Sequence, residues 1–267
     1  MMEKENHPCF TASCSEYARI HLPVAPECNL QCNYCLRKFC CANECRPGVT
    51  AKVMSPQEAL NWYLKANANV PNLTVVGIAG PGDALANWDK VAESFKLIRE
   101  LDNKIKFCLS TTGLLLADYA EPLAELGVGY VTVTLNSLEP EVSGRIYSFA
   151  NYKGKLYTGT EAGRILLENQ LGGIKLLKEK GVQVKLNFVA IPGINYEQAL
   201  PVAQKAKEMD CQVMNIIPML PVAGSAFEAR QAPQLGEVKQ LRETCSPYVR
   251  QMEHCRRCRA DACGTLK

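Results

Sequence analysis

The stretch HLPVAPECNLQCNYC, His21 to Cys35, runs from a short apolar segment straight into a loop with three thiols in eight residues. The apolar part, His21 to Pro26, reads as a strand, and the thiols follow its C-terminal end. A cubane iron–sulfur cluster has four irons, each wanting a ligand, and thiolates are the usual ones. Three thiols on one loop can hold three of those irons and leave the fourth open to a small molecule. The rival reading is a structural zinc ion shared by Cys32-x2-Cys35 and Cys255-x2-Cys258, because paired CxxC is a common zinc spacing. Zinc leaves Cys28 without a role.

Outward from this stretch, apolar β-rich runs alternate with helical patterns, the signature of repeated βα units. The further strands are Leu73 to Gly80, Lys106 to Thr112, Tyr130 to Asn136, Gln183 to Ile191 and Cys211 to Met219. Each is nearly continuously apolar, as strands covered on both faces are. Helices are expected over Ser55 to Asn69, Trp88 to Leu101, Asp118 to Leu126, Glu161 to Lys180, Glu197 to Met209 and Gln234 to Glu253. Ser55 before Pro56 is a start signal, and Lys180-Gly181 a stop. Six units predict an open, partial (βα)6 TIM-like barrel of the α/β class. One domain over residues 1–267 is expected: an N-terminal arm over 1–20, the barrel over 21–233, and a helix with a cysteine-bearing tail over 234–267. Ligands of such folds sit at the C-terminal strand ends. There the sequence places GIAGPGD, STTG, NSLEPE and IPGIN, and so Gly80, Pro81, Gly82, Asp83, Ser110, Thr111, Asn136 and Ile191 as candidate cofactor contacts. The polar, aromatic segment Ser143 to Gly159 reads as a loop over that mouth.

The 267 residues carry 30 basic and 27 acidic side chains, a net charge of +3 without clustering, which argues against nucleic acid or an anionic membrane as partner. No apolar run approaches a membrane span, and the N-terminus has no signal-peptide pattern. A cytoplasmic protein is expected, and in that reducing compartment 14 cysteines call for metal-type roles rather than disulfides.

The CX3CX2C spacing after a first barrel strand resembles the radical S-adenosylmethionine (SAM) superfamily. Longer stretches resemble its NifB family: HPCF (His7 to Phe10), VAPECNLQCNYC (Val24 to Cys35), CANECRPGV (Cys41 to Val49), VVGIAGPGDALAN (Val75 to Asn87), IPGIN (Ile191 to Asn195) and CRRCRADACG (Cys255 to Gly264). The resemblance implies a SAM-binding [4Fe-4S] cluster, SAM as reactant, and two further [4Fe-4S] clusters as substrates. These are fused with a SAM-derived carbide and an added sulfide into the eight-iron precursor of nitrogenase cofactor. One SAM gives its methyl group to a cluster sulfide, and a second supplies the 5′-deoxyadenosyl radical that abstracts hydrogen from it.

By the same resemblance Cys28, Cys32 and Cys35 hold the SAM cluster, and GIAGPGD supplies backbone to the SAM amino group. Cys9 and Cys108, with His7 as a further candidate, hold the first substrate cluster. Cys41, Cys255 and Cys258 hold the second, with Cys40 as the rival to Cys41. Glu44 is the candidate for proton handling or a labile ligand, although it could simply pair with Arg46. Cys211 reads as packing, and Cys14, Cys40, Cys45, Cys245 and Cys263 are left over. Two departures stand out: Thr112 replaces the family's common asparagine, and the chain ends at Lys267 without the appended carrier domain of many members. The partners implied are an iron–sulfur cluster donor, a separate cofactor carrier or maturation scaffold, and a reductase, flavodoxin or ferredoxin as electron donor. The alternatives are a radical SAM enzyme whose extra clusters only relay electrons, as in peptide maturases and activating enzymes, and a non-catalytic iron–sulfur scaffold.

Overall fold

The computed structural model describes residues 6–11, 14–36, 38–39 and 44–266. It opens with β1 (Ala18–His21), followed by the short strands β2 (Leu30–Cys32), β3 (Lys38–Phe39) and β4 (Val49–Thr50). Next come α1 (Pro56–Asn69), β5 (Leu73–Ile78), α2 (Trp88–Leu101), β6 (Lys106–Thr111), α3 (Leu116–Glu125) and β7 (Val128–Thr134). The second half holds α4 (Pro140–Ile146), β8 (Tyr147–Tyr152), β9 (Lys155–Tyr157), α5 (Gly159–Glu179) and β10 (Gln183–Ala190). It closes with α6 (Ala199–Glu208), β11 (Val213–Pro218), α7 (Leu235–Cys245) and β12 (Cys263–Gly264).

Six parallel strands pair in the order β11-β10-β7-β6-β5-β1, and β12 adds antiparallel to β1. This is the expected partial barrel, its sheet curled and backed by helices. The expected caps are present: Ser55 accepts from the Glu58 amide at 3.3 Å and Glu58 returns the bond to Ser55, a capping box. Gly181 takes a positive φ of 77° just past α5.

Three elements differ from the sequence expectation. The first strand is Ala18–His21, upstream of the HLPVAP run. Arg19 and His21 point into the barrel while Ala18 and Ile20 face the helices, so polar residues hid the alternation. Ser143 to Gly159 is not a loop but the end of α4 and the β8–β9 hairpin. Lys153 and Gly154 both take positive φ, 51° and 79°, as a two-residue hairpin turn requires. The last helix ends at Cys245 rather than Glu253, because Pro247 cannot continue it.

Beyond α7 the tail closes the open side of the barrel. Met252 donates to the Met214 carbonyl on β11 at 2.9 Å, Met214 donates to Arg250 at 2.9 Å, and His21 on β1 donates to Ala262 at 2.8 Å. The cysteines between these ties, Cys255 and Cys258, are thereby held against the barrel interior. No described helix is long and apolar enough to cross a membrane.

Candidate functional site

Side chains alternate along a strand, and here the alternation separates an apolar outer face from a polar inner one. On β10, Val184, Leu186 and Phe188 are buried under the helices, while Lys185, Asn187 and Val189 face the interior. On β6, Phe107 and Leu109 face outward, and Cys108 and Ser110 inward. A cavity of about 310 Å³ occupies that interior, and two groups of thiols face it.

The first group is Cys28, Cys32 and Cys35. Their loop is clamped from two sides. β8 pairs antiparallel with β2, placing Cys32 opposite Tyr147, and Gln31 donates its side-chain amide to the carbonyls of Cys32 (2.9 Å) and Cys35 (3.0 Å). On the other side, the GPGDALAN loop grips the backbone just before Cys28. Gly82 donates to Ala25 at 2.6 Å, Asp83 donates to Glu27 at 2.8 Å, and Asn87 exchanges two bonds with Glu27. A Cβ on Gly82 would stand 2.0 Å from the Glu27 carbonyl oxygen, so only glycine fits. Asp83 is itself buried and fixed, accepting from the Thr111 hydroxyl at 3.0 Å, the Thr112 amide at 2.5 Å and the Leu85 amide at 2.9 Å.

The second group is Cys9, Cys108, Cys255 and Cys258, packed with Phe10, Tyr130 and Met252 in one cluster. His7 is 2 % exposed; its Nδ1 accepts from the Cys9 amide at 3.0 Å and its Nε2 is buried without a partner. Arg19 donates to Cys258 Sγ at 2.9 Å, Asn215 donates to Cys255 Sγ at 3.2 Å, and His21 lies beside Cys108 across Gly77. Burial lowers the His7 imidazole well below its ordinary range and takes His21 to about 4. It also pushes the Cys108 thiol up to about 12. Burial likewise acts to lower Lys185, but the negative charges of Cys9, Cys255, Cys108 and Cys258, when ionised, outweigh it and raise the ammonium.

Both groups have the donor chemistry of iron–sulfur sites: soft thiols, one buried imidazole with an unpartnered nitrogen, and a shared cavity. Among the described residues no three His, Cys, Asp or Glu side chains converge as a single ion would require. Cys32 packs in one apolar cluster and Cys255 and Cys258 in another, so the shared zinc site does not form.

Of the residues expected from sequence, Pro81, Gly82, Asp83, Ser110 and Thr111 line the cavity beside the first thiol group. Asn136 and Ile191 do not. Asn136 is buried behind the wall, donating to Tyr147 and Tyr34 at 2.9 and 3.2 Å, and Ile191 is fully buried among apolar side chains. Gly80 also lies outside the lining, with a φ of 125° that glycine favours. Glu44 is not in the lining either; its carboxylate accepts from Arg46 at 2.9 Å, and it is Arg46 that faces the cavity. Cys40 and Cys41 lie outside the described residues. Cys211 is buried in the core, as its setting in an apolar stretch suggested, and Cys245 joins it there.

Sequence reading passed over Lys185, Arg19 and Asn215. The signal was present in each, a polar residue inside an otherwise apolar strand, as in QVKLNFVA.

The sequence profile described as "Radical SAM superfamily" matches residues 22–221. The chain is 44% identical over 263 residues to the FeMo cofactor biosynthesis protein NifB of Chlorobaculum tepidum, covering 98% of this chain and 62% of that protein. It is 42% identical to NifB of Bradyrhizobium diazoefficiens, covering 98% and 54%, and 43% identical to NifB of Klebsiella pneumoniae, covering 97% and 57%. The chain thus spans a little over half the length of these curated relatives. Its fold is similar to that of Streptococcus suis SuiB bound to S-adenosylmethionine, with a TM-score of 0.63 at 17% identity over 89% of this chain and 50% of that one. It is also similar to methylornithine synthase PylB, with a TM-score of 0.59 at 13% identity over 87% and 63%.

Proposed function

Since this chain belongs to the radical SAM superfamily, we propose that it performs the cluster-building chemistry of cofactor biosynthesis for which its NifB relatives are named. Two four-iron clusters and a carbon from the SAM methyl group, with an added sulfide, become one eight-iron cluster. The observation that carries the reading is the single cavity faced by both thiol groups. Reactant and substrates can meet there without crossing solvent.

When bound, a [4Fe-4S] cluster on Cys28, Cys32 and Cys35 supplies the electron that cleaves SAM. The chain's own part is positional. The GPGDALAN loop and the β8 strand hold the three thiols in register. Pro81, Gly82, Asp83, Ser110 and Thr111 form the wall against which SAM lies. Cys9, Cys108 and His7 take one substrate cluster, and Cys255 and Cys258 take the other, with Cys41 as the further ligand implied by resemblance. A small number of thiolates per substrate lets the product leave. The reaction needs an iron–sulfur donor, a one-electron donor of the flavodoxin or ferredoxin kind and a carrier for the product, all met in the cytoplasm.

A second reading has one observation in its favour: Cys9, Cys108, Cys255 and Cys258 lie in one chamber, and four thiols suit a permanent electron-relay cluster. The experiment is anaerobic turnover of the reconstituted protein. Formation of both S-adenosylhomocysteine and 5′-deoxyadenosine, with a product that activates cofactor-free nitrogenase, supports cluster building. Formation of 5′-deoxyadenosine alone, with the inner clusters persisting unchanged, supports relay.

A further inference from the structure

The cavity is unevenly charged. Arg19, Arg46, Lys185, Arg256 and Arg257 face it, whereas Asp83 is the one carboxylate among its described lining residues. Asp83 is already engaged by Thr111, Thr112 and Leu85. Arg19 is likewise committed, to Cys258 and to the carbonyls of Gly264 and Thr265.

Lys185 differs from these. It is the third residue of β10, 7 % exposed, at the level of Cys108 on β6 and Asn215 on β11. Its Nζ has Met252 Sδ as neighbour at 4.0 Å, and a thioether is a poor acceptor for an ammonium. Among the described residues no carboxylate pairs with it. A buried cation in a dry interior calls for an anion. The groups around this one are Cys9, Cys108, Cys255 and Cys258. An iron–sulfur cluster with thiolate ligands brings negative charge and exposed sulfides to that place.

We infer that Lys185 is a substrate-binding residue of the inner chamber, its ammonium the counter-charge that seats an anionic iron–sulfur cluster among Cys9, Cys108, Cys255 and Cys258. This rests on the reading that clusters are loaded there, and it adds the residue that makes the chamber accept them. An arginine in its place keeps the charge. A methionine keeps most of the volume and removes the charge.

The test compares wild type, K185M and K185R, each reconstituted anaerobically with iron and sulfide. Iron and sulfide are counted, and electron paramagnetic resonance spectra are recorded before and after SAM, which perturbs the SAM cluster alone. K185M should keep the SAM-responsive signal and lose the inner signals, its inner clusters stripped by a chelator at about a hundredfold lower concentration. K185R should hold them. Inner clusters retained in K185M with the wild-type spectrum and chelator sensitivity would overturn the inference. Wild type that binds no iron beyond the SAM cluster overturns the loading reading itself, and the inference with it. If K185M loses the SAM-responsive signal as well, K185R decides: inner clusters kept support a role for charge, and their loss beside an intact SAM signal refutes it.

Discussion

Asn87 and Glu27 exchange two hydrogen bonds: the Asn87 amide donates to the Glu27 carbonyl at 2.9 Å and accepts from the Glu27 N–H at 3.2 Å. The same side chain also donates to the Asp83 carbonyl at 2.8 Å. One asparagine thus ties the loop after β5 to the residue before Cys28. In N87A the backbone groups of Glu27 lose their partners, and the fold should be destabilised by about 1–3 kcal/mol. The SAM cluster should be held less firmly. Urea unfolding with iron counting checks both, and unchanged iron retention would show that the cysteine loop needs no such tie.

Gly82 makes a sharper case. Its missing Cβ leaves room for the Glu27 carbonyl, 2.0 Å from where that atom would be. G82A must therefore push the cysteine loop away from GPGD, at a cost of about 1–3 kcal/mol. The displacement falls on Cys28 first, so iron retention at the SAM site should fall while the inner iron remains. Iron counts with spectra before and after SAM separate the two sites. Equal loss at both would mean that the substitution damages the fold as a whole.

Much of this was legible in the chain before the structure. The alternation of apolar runs and helical patterns marked six βα units, and CX3CX2C marked the mouth. What misled was treating the strands as apolar throughout. A half-barrel of this kind is apolar only toward its helices, and its inner face is built from residues such as Arg19, His21, Cys108, Lys185 and Asn215. Each interrupts an apolar run by one position, a pattern of period two that length and hydrophobicity do not reveal. Asn136 and Ile191 failed as contacts for the opposite reason. Strand ends were taken to point inward, but these two turn into the wall, where Asn136 also accepts from the Val189 amide at 2.8 Å. The closing of the barrel by the tail depends on contacts more than 200 residues apart in sequence, such as Arg19 with Cys258, and no local pattern carries that.

Cys255 and Cys258 lie on that tail and face the cavity. The double variant C255A/C258A should lose about one cluster's worth of iron, roughly four atoms, and keep the SAM-responsive signal. Thermal stability without iron should change little, because both side chains are only half-buried. Unchanged iron content would make the tail a wall and nothing more.

The tail should also release in acid. Asp261 joins it to the strand beside the mouth: its carboxylate accepts from the Ala51 amide at 2.7 Å, the Thr50 hydroxyl at 3.2 Å and Arg259 at 2.8 and 3.1 Å. Burial opposes the charge, but these donors, Arg259 foremost, outweigh it and hold the carboxyl at about 2. A carboxylate in the unfolded chain titrates at about 3.9. The folded value is the lower one, so the stabilisation is fully present above about pH 4 and is lost as pH falls toward 2. Wild type should therefore show tail opening across that window, read by hydrogen exchange at Ala260 and Ala262, whose amides donate to Val49 and Arg259. In D261N the amide can still accept one or two of these bonds but carries no charge for Arg259. Its tail should open more readily at pH 7 and show no further change between pH 4 and 2 from this site. An acid transition in D261N identical to that of wild type would assign the opening to another group.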